Sequence, residues 1–266
     1  MASETLQLSQ PPAFASDEER LAAIAFFNAA YRAEESGLRQ AHELADEMGR
    51  NDPELAECLR LYGDEEGWHR SLLEEFLAWL GGGVRPMGPT TRTFYRLYAR
   101  AERMESIVLV NLMFETIGST TYRIALRTAA HPVVRQMLTI LTRDESFHVP
   151  LNVHFLRAAI ASAPESRPHL RRLYHGTFAA LVASTVASRR RAKRFDGIET
   201  RVLARAYAEQ LSRLFLEESD LGIEPSPLLL RACGLDRAAL LRAPSAVSLA
   251  AAERAVDREN VVVEAL

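Results

Sequence analysis

At 266 residues the chain is long enough to bury a substantial core as one domain, or as one domain with an appendage. Its 48% hydrophobic and 25% charged content is that of an ordinary globular protein, and a net charge of −3 argues against a general nucleic-acid or anionic-membrane binder, which is normally basic. Cys58 and Cys233 make neither a disulfide framework nor a C-x-x-C metal motif, no apolar stretch reaches the ~20 residues of a membrane span, and the N-terminus lacks the basic and apolar regions of a signal peptide, so the chain reads as soluble, reduced and cytoplasmic.

Residues 1–16 read as a flexible segment, polar and proline-containing. Ser16-Asp17-Glu18-Glu19 is a capping box, with Ser16 as N-cap and Glu19 three residues on. A helix follows to about Gly49, with Leu21, Ile24, Tyr31, Leu38 and Ala45 at helical spacing. Asn51-Asp52-Pro53 stops it and starts a second helix at the proline, running to about Leu80. Gly81-Gly82-Gly83, Pro86 and Pro89 mark a loop, and a third helix is expected from about Thr91 to Ala129. His131-Pro132 opens a fourth, ending near Ala163-Pro164.

All four segments are far longer than the ~11-residue average helix, and no alternating β-branched run competes with them. Short links make the first and second, and the third and fourth, antiparallel pairs, with residues 81–90 as the crossover. The expected fold is therefore all-α, an antiparallel four-helix bundle over 17–163. A helical extension over 164–266 follows, packing on the bundle, with helices near His169–Ala192 and Glu199–Glu218, then short Pro- and Ala-rich segments and a fraying end. Arg189, Arg190, Arg191, Lys193 and Arg194 form a basic cluster, read first as a solvated helix end that complements the macrodipole and otherwise as an anion or acidic-partner site.

The bundle carries one metal-binding pattern twice. Glu35 is followed 31 residues later by Glu66-x-x-His69, and Glu115 is followed 30 residues later by Glu145-x-x-His148. Each copy offers a lone Glu and a Glu-x-x-His pair, whose i, i+3 spacing puts carboxylate and imidazole on one helix face. Glu115 lies in an apolar run from Val110 to Gly118, where a bare buried carboxylate would be costly and a metal would remove the cost. On the first helix Glu34 competes with Glu35: the apolar stripe would carry Glu34, whereas the repeat alignment and the seven-residue spacing to His42 favour Glu35. Tyr122 stands seven residues after Glu115, as His42 does after Glu35. Glu65 and Asp144 precede the paired glutamates in one register, as carboxylates that accept the outer N–H of a metal-bound His do. The alignment also pairs Trp68 with Phe147, Leu72 with Leu151, Phe76 with Phe155 and Leu77 with Leu156 as core-facing positions. Pro150, two residues past His148, is expected to kink the fourth helix.

On Glu35, Glu66-x-x-His69, Glu115 and Glu145-x-x-His148 the chain resembles the ferritin-like di-iron carboxylate superfamily, over roughly residues 17–162. Four carboxylates with two histidines resemble its oxygen-activating branches, and the spacing comes nearest to the small aldehyde-deformylating oxygenases. The chain departs from other branches: Leu141 stands where N-oxygenases carry a third histidine, and no Cys-rich rubredoxin module is present. The resemblance implies two iron ions (Fe/Mn or Mn being allowed by the same ligands), with O2 as co-substrate. It implies a di-iron oxygenase or oxidase acting on a small or acyl-type substrate, free or carrier-bound, served by a separate electron-donor protein. A homodimer is allowed for, and neither nucleic acid nor a membrane is expected as a partner. The alternative is a ferroxidase, iron-handling or peroxide-protection protein.

Overall fold

The computed structural model describes residues 6, 8–9, 12–48, 52–86 and 103–242. These are all-α, with no strand among the described residues. Among the described residues eight α-helices follow in chain order: α1 Asp17–Met48, α2 Pro53–Trp79, α3 Met104–Thr128, α4 Pro132–Ser162, α5 Arg167–Asp196, α6 Thr200–Glu217, α7 Pro227–Ala232 and α8 Arg237–Arg242. Short 3-10 turns occupy Pro164–Ser166 and Ser219–Leu221. The expected start of the third helix at Thr91, the second half of the crossover and the fraying C-terminal end lie outside the described residues. No helix among those described is long and apolar enough to cross a membrane.

The chain forms two compact units. One consists of Met1–Arg100, Ala125–Leu141 and Ser188–Ile198; the other consists of Ala101–Ile124, Thr142–Ala187 and Glu199–Leu266.

The first unit is built on α1 and α2. One half of the capping box forms, Glu19 N–H donating to Ser16 Oγ at 3.2 Å, while the Glu19 carboxylate accepts from Ala15 N–H at 3.0 Å, one residue before the expected N-cap. Asp52 Oδ1 accepts from Leu55 N–H at 3.0 Å and caps α2, whose first residue is Pro53. Partners run in opposite directions along the pair, Arg20 with Leu80, Glu34 with His69 and His42 with Asp64, so α1 and α2 are antiparallel. Phe27 and Phe76 meet edge to face at 4.7 Å, and Phe195 from the end of α5 joins Phe27 at 5.7 Å. The beginning of the crossover is tied to α1: Asn28 donates to the Gly83 carbonyl and accepts from Arg85 N–H, while Arg32 donates to the Arg85 carbonyl. Of the basic cluster, Arg194 makes an exposed ion pair with Glu18 at 3.0 Å; the side chains of the other four lie outside the described residues.

In the second unit α3 and the later part of α4 are likewise antiparallel, since Asn111 meets Asn152 and Glu115 meets His148. The C-terminal helices pack onto this pair. His169 of α5 lies 3.2 Å from Ser106 Oγ, Tyr207 of α6 hydrogen-bonds Thr121 at 2.5 Å, and Arg157 of α4 grips Asp220 at 2.6 Å. Tyr174, fully buried, packs on Phe215 at 4.7 Å and on Phe178 at 5.9 Å. His175 takes the Ser226 N–H on Nε2 and donates from Nδ1 to the Arg171 carbonyl, joining α5 to the start of α7. Pro150 sits inside an α4 that runs unbroken from Pro132 to Ser162.

Candidate metal centre

The buried face of α1 advances in steps of three and four: Phe27, Ala30, Glu34, Gly37, Ala41, Leu44. That of α2 does the same through Leu59, Tyr62, Glu66, His69, Leu73 and Phe76. Where the two stripes face each other, Glu34, Glu66 and His69 converge, with a ligand atom from each within 4.8 Å of the others. All three are buried, and His69 Nδ1 lies 3.2 Å from Glu34 Oε2. Gly37 leaves the room: a Cβ there would stand 2.8 Å from Glu66 Cδ and 2.9 Å from its Oε2. The carboxylate thus occupies the space that any other residue on this turn would fill.

Glu35, expected as the helix-1 ligand, is not in this group. One residue along an α-helix is a rotation of about 100°, which takes Glu35 off the buried stripe to pair with Arg32 Nη1 at 2.5 Å. Its side chain is 39% exposed, against 1% for Glu34. His42, expected behind the ligands, follows it onto that outer side and lies 3.2 Å from Asp64, largely exposed. The seven-residue spacing therefore did place Glu35 and His42 alike, but away from the core. Two sequence signals favour Glu34: Arg32 stands at i−3 to Glu35 as a ready ion partner, and Gly37 stands at i+3 to Glu34. Glu65 lies half-buried beside the stripe.

The second set is Glu115 from α3 with Glu145 and His148 from α4, all buried. His148 Nδ1 lies 3.3 Å from Glu145 Oε2 and 3.8 Å from Glu115 Oε2. Burial, and then the charge and hydrogen bond of Glu115, push the Glu145 carboxyl well above the ordinary range, with His148 acting in the opposite sense. Tyr122, two turns from Glu115, is buried. Asp144 is buried as well, and its carboxylate takes two hydrogen bonds from the Arg143 guanidinium, at 2.7 and 3.3 Å. Trp68 is half-buried and Phe147 is 47% exposed, so neither belongs to the core beside the ligands; each precedes its histidine by one residue and turns off the stripe. The aligned pairs Phe76/Phe155 and Leu77/Leu156 are buried as expected.

Each set holds two buried carboxylates against one imidazole, so even a protonated histidine balances only one of the two charges. Such a group is costly unless a proton or a cation joins it. Mixed carboxylate and imidazole donors suit iron or manganese, and the glycine-made recess around Glu66 fits a carboxylate that must reach inward. Glu34, Glu66 and His69 can therefore hold a metal ion, and Glu115 and His148 belong to a second buried Glu/His group that can do so. No protein-family model, curated protein or solved structure matches the chain.

Proposed function

We propose that the chain is a ferritin-like, oxygen-activating non-haem di-iron oxidoreductase, with Glu34, Glu66 and His69 supplying ligands to one iron and Glu115, Glu145 and His148 to the other. The observation that carries this reading is the duplication itself. Two glutamates and one histidine are buried together twice, each time on an antiparallel helix pair and each time with a lone Glu opposite a Glu-x-x-His. That is the ligand inventory of a di-iron carboxylate bundle. Iron bound by such donors supplies the redox chemistry that activates O2 for oxidation of a small or acyl-type organic substrate.

The chain's own residues have definable tasks in this reading. Glu34 and His69 face each other as donors, and Gly37 lets the Glu66 carboxylate sit between helices rather than fold back. Burial and the neighbouring Glu115 make Glu145 hold its proton more tightly than an ordinary carboxyl does, and that proton must leave for it to bind metal as an anion. Leu73, one turn beyond His69 on α2, and Leu112, three residues before Glu115 on α3, are buried, which supports a site closed to water.

Reconstituting the purified chain with Fe(II) under anaerobic conditions tests the reading. About two equivalents of tightly held iron are expected, followed by O2 consumption on exposure to air. Substantially fewer than about one iron per chain would sink the metal centre. O2 uptake that yields only mineralised ferric iron would favour the ferroxidase alternative over an oxygenase or oxidase.

A further inference from the structure

One turn before Glu115 on α3, and one turn beyond His148 on α4, stand two buried amides, Asn111 and Asn152. Asn111 Nδ2 donates to Asn152 Oδ1 at 3.0 Å, and Asn152 Nδ2 donates to the backbone carbonyl of His148, also at 3.0 Å. The helix that presents Glu115 is thus tied, through two side chains, to the backbone of His148.

The first copy of the repeat has nothing of the kind. The offset that aligns Glu145 with Glu66 puts Leu73 at the place of Asn152, and the offset that aligns Glu115 with Glu34 puts Ala30 at the place of Asn111. Both are buried, so an apolar pair satisfies the packing there. Two buried amides in place of an alanine and a leucine need a reason, since they contribute nothing that apolar packing would not unless their hydrogen bonds matter. Pro150 provides one. It has no N–H to give the Ser146 carbonyl, so the helix lacks one of its backbone hydrogen bonds two residues after His148, although α4 continues through it. At the aligned place the first copy has Ser71, whose hydroxyl bonds the Gly67 carbonyl within an ordinary helix.

We infer that Asn152, itself oriented by Asn111, is a positioning residue for the second ligand set, fixing the His148 backbone across the proline so that its imidazole stays against Glu115 and Glu145. The inference rests on the metal-centre reading.

The full metal-free chain, titrated with Co(II) and followed by cobalt absorption and calorimetry, tests it; an H148A chain identifies which binding step belongs to the second set. N152A is expected to weaken that step by about 10-fold or more, the usual cost of losing a group behind a ligand. N152S makes almost the same cavity, but its hydroxyl can donate to the carbonyl four residues back, and it is expected to recover most of the loss. The first step should stay at the parent value in both. An N111A/N152L chain, carrying the apolar pair of the first copy, should melt near the parent temperature while keeping the weakened second step. Equal weakening in N152A and N152S, or equal loss at both steps, would reduce Asn152 to a packing residue and overturn the inference. Unchanged binding of two Co(II) in N152A would overturn it while leaving the metal centre standing. A parent chain that binds no Co(II) would overturn both.

Discussion

Glu34 and Glu35 differ by one step of the helix, and that step separates a buried position facing His69 from a surface ion pair with Arg32. The two glutamates should therefore respond very differently to the same small change. Glu34→Gln is expected to remove one of the bound metal equivalents, because an amide cannot serve as an anionic ligand. Glu35→Gln breaks an ion pair that is more than a third exposed, worth at most about 1 kcal/mol, and should leave metal content unchanged. Metal analysis after reconstitution, alongside thermal melts, checks the pair; comparable metal loss in both variants would return the ligand role to Glu35. The preference for Glu35 in the linear reading came from a true relation, its shared face with His42. Which of two adjacent faces turns inward is not a property of either residue, but of what the neighbouring helix presents.

At the scale of elements, the signals in the chain were local and the structure follows them closely. Ser16 accepts from the Glu19 N–H at the head of α1, Pro53 and Pro132 begin α2 and α4, and Gly81 takes the left-handed conformation, φ 72°, just after α2. These signals need only a few neighbouring residues to act, which is why the ends of the helices could be read without a tertiary fold. Asp52 is the clearest case, a single side chain satisfying the Leu55 N–H at the head of α2. Asp52→Ala is expected to cost about 1 kcal/mol of stability and Asp52→Ser much less, measurable as a shift in the urea midpoint at constant slope. Equal effects of the two changes would mean that the cap contributes nothing. Where the local reading went astray, at Trp68 and Phe147, it had treated neighbours of a ligand as sharing its face. The buried stripe of α2 passes through Glu66, His69 and Leu73 and omits Trp68.

For the molecule as a whole, the buried acid sets imply a dependence of stability on pH that runs against the usual one. The folded chain holds the Glu145 proton more tightly than the unfolded chain does, because burial and Glu115 disfavour the charge. Its contribution is thus fully present below the ordinary carboxylate range and is lost as pH rises toward the raised folded value. Asp220 works in the opposite sense, since Arg157 lowers its pKa and its contribution disappears only as pH falls through acid values. Above the ordinary carboxylate range, where Asp220 is ionised in both states, the metal-free chain is expected to lose stability as pH rises. Glu145→Gln should flatten that trend, and added metal should reverse it, because the ligands bind as anions. Melting temperatures of the three samples above that range decide the point; a flat profile for the metal-free parent would remove Glu145 as a strained acid.

The sequence by itself determined the helical class, the starts of α1, α2 and α4 and the doubled Glu and Glu-x-x-His pattern, because caps, prolines and residue spacing act over a few neighbours and need no partner helix. It also contained Asn111 and Asn152, but gave no cue to their use, since an amide pair 41 residues apart has meaning only once the two helices lie side by side. Only the tertiary structure decided that Glu34 rather than Glu35 meets His69, that Phe147 faces outward, and that each lone Glu lies across from its own Glu-x-x-His within one helix pair. The physical reason is the same in each case. A rotation of about 100° per residue turns adjacent positions to different surroundings, and the surroundings are supplied by another part of the chain.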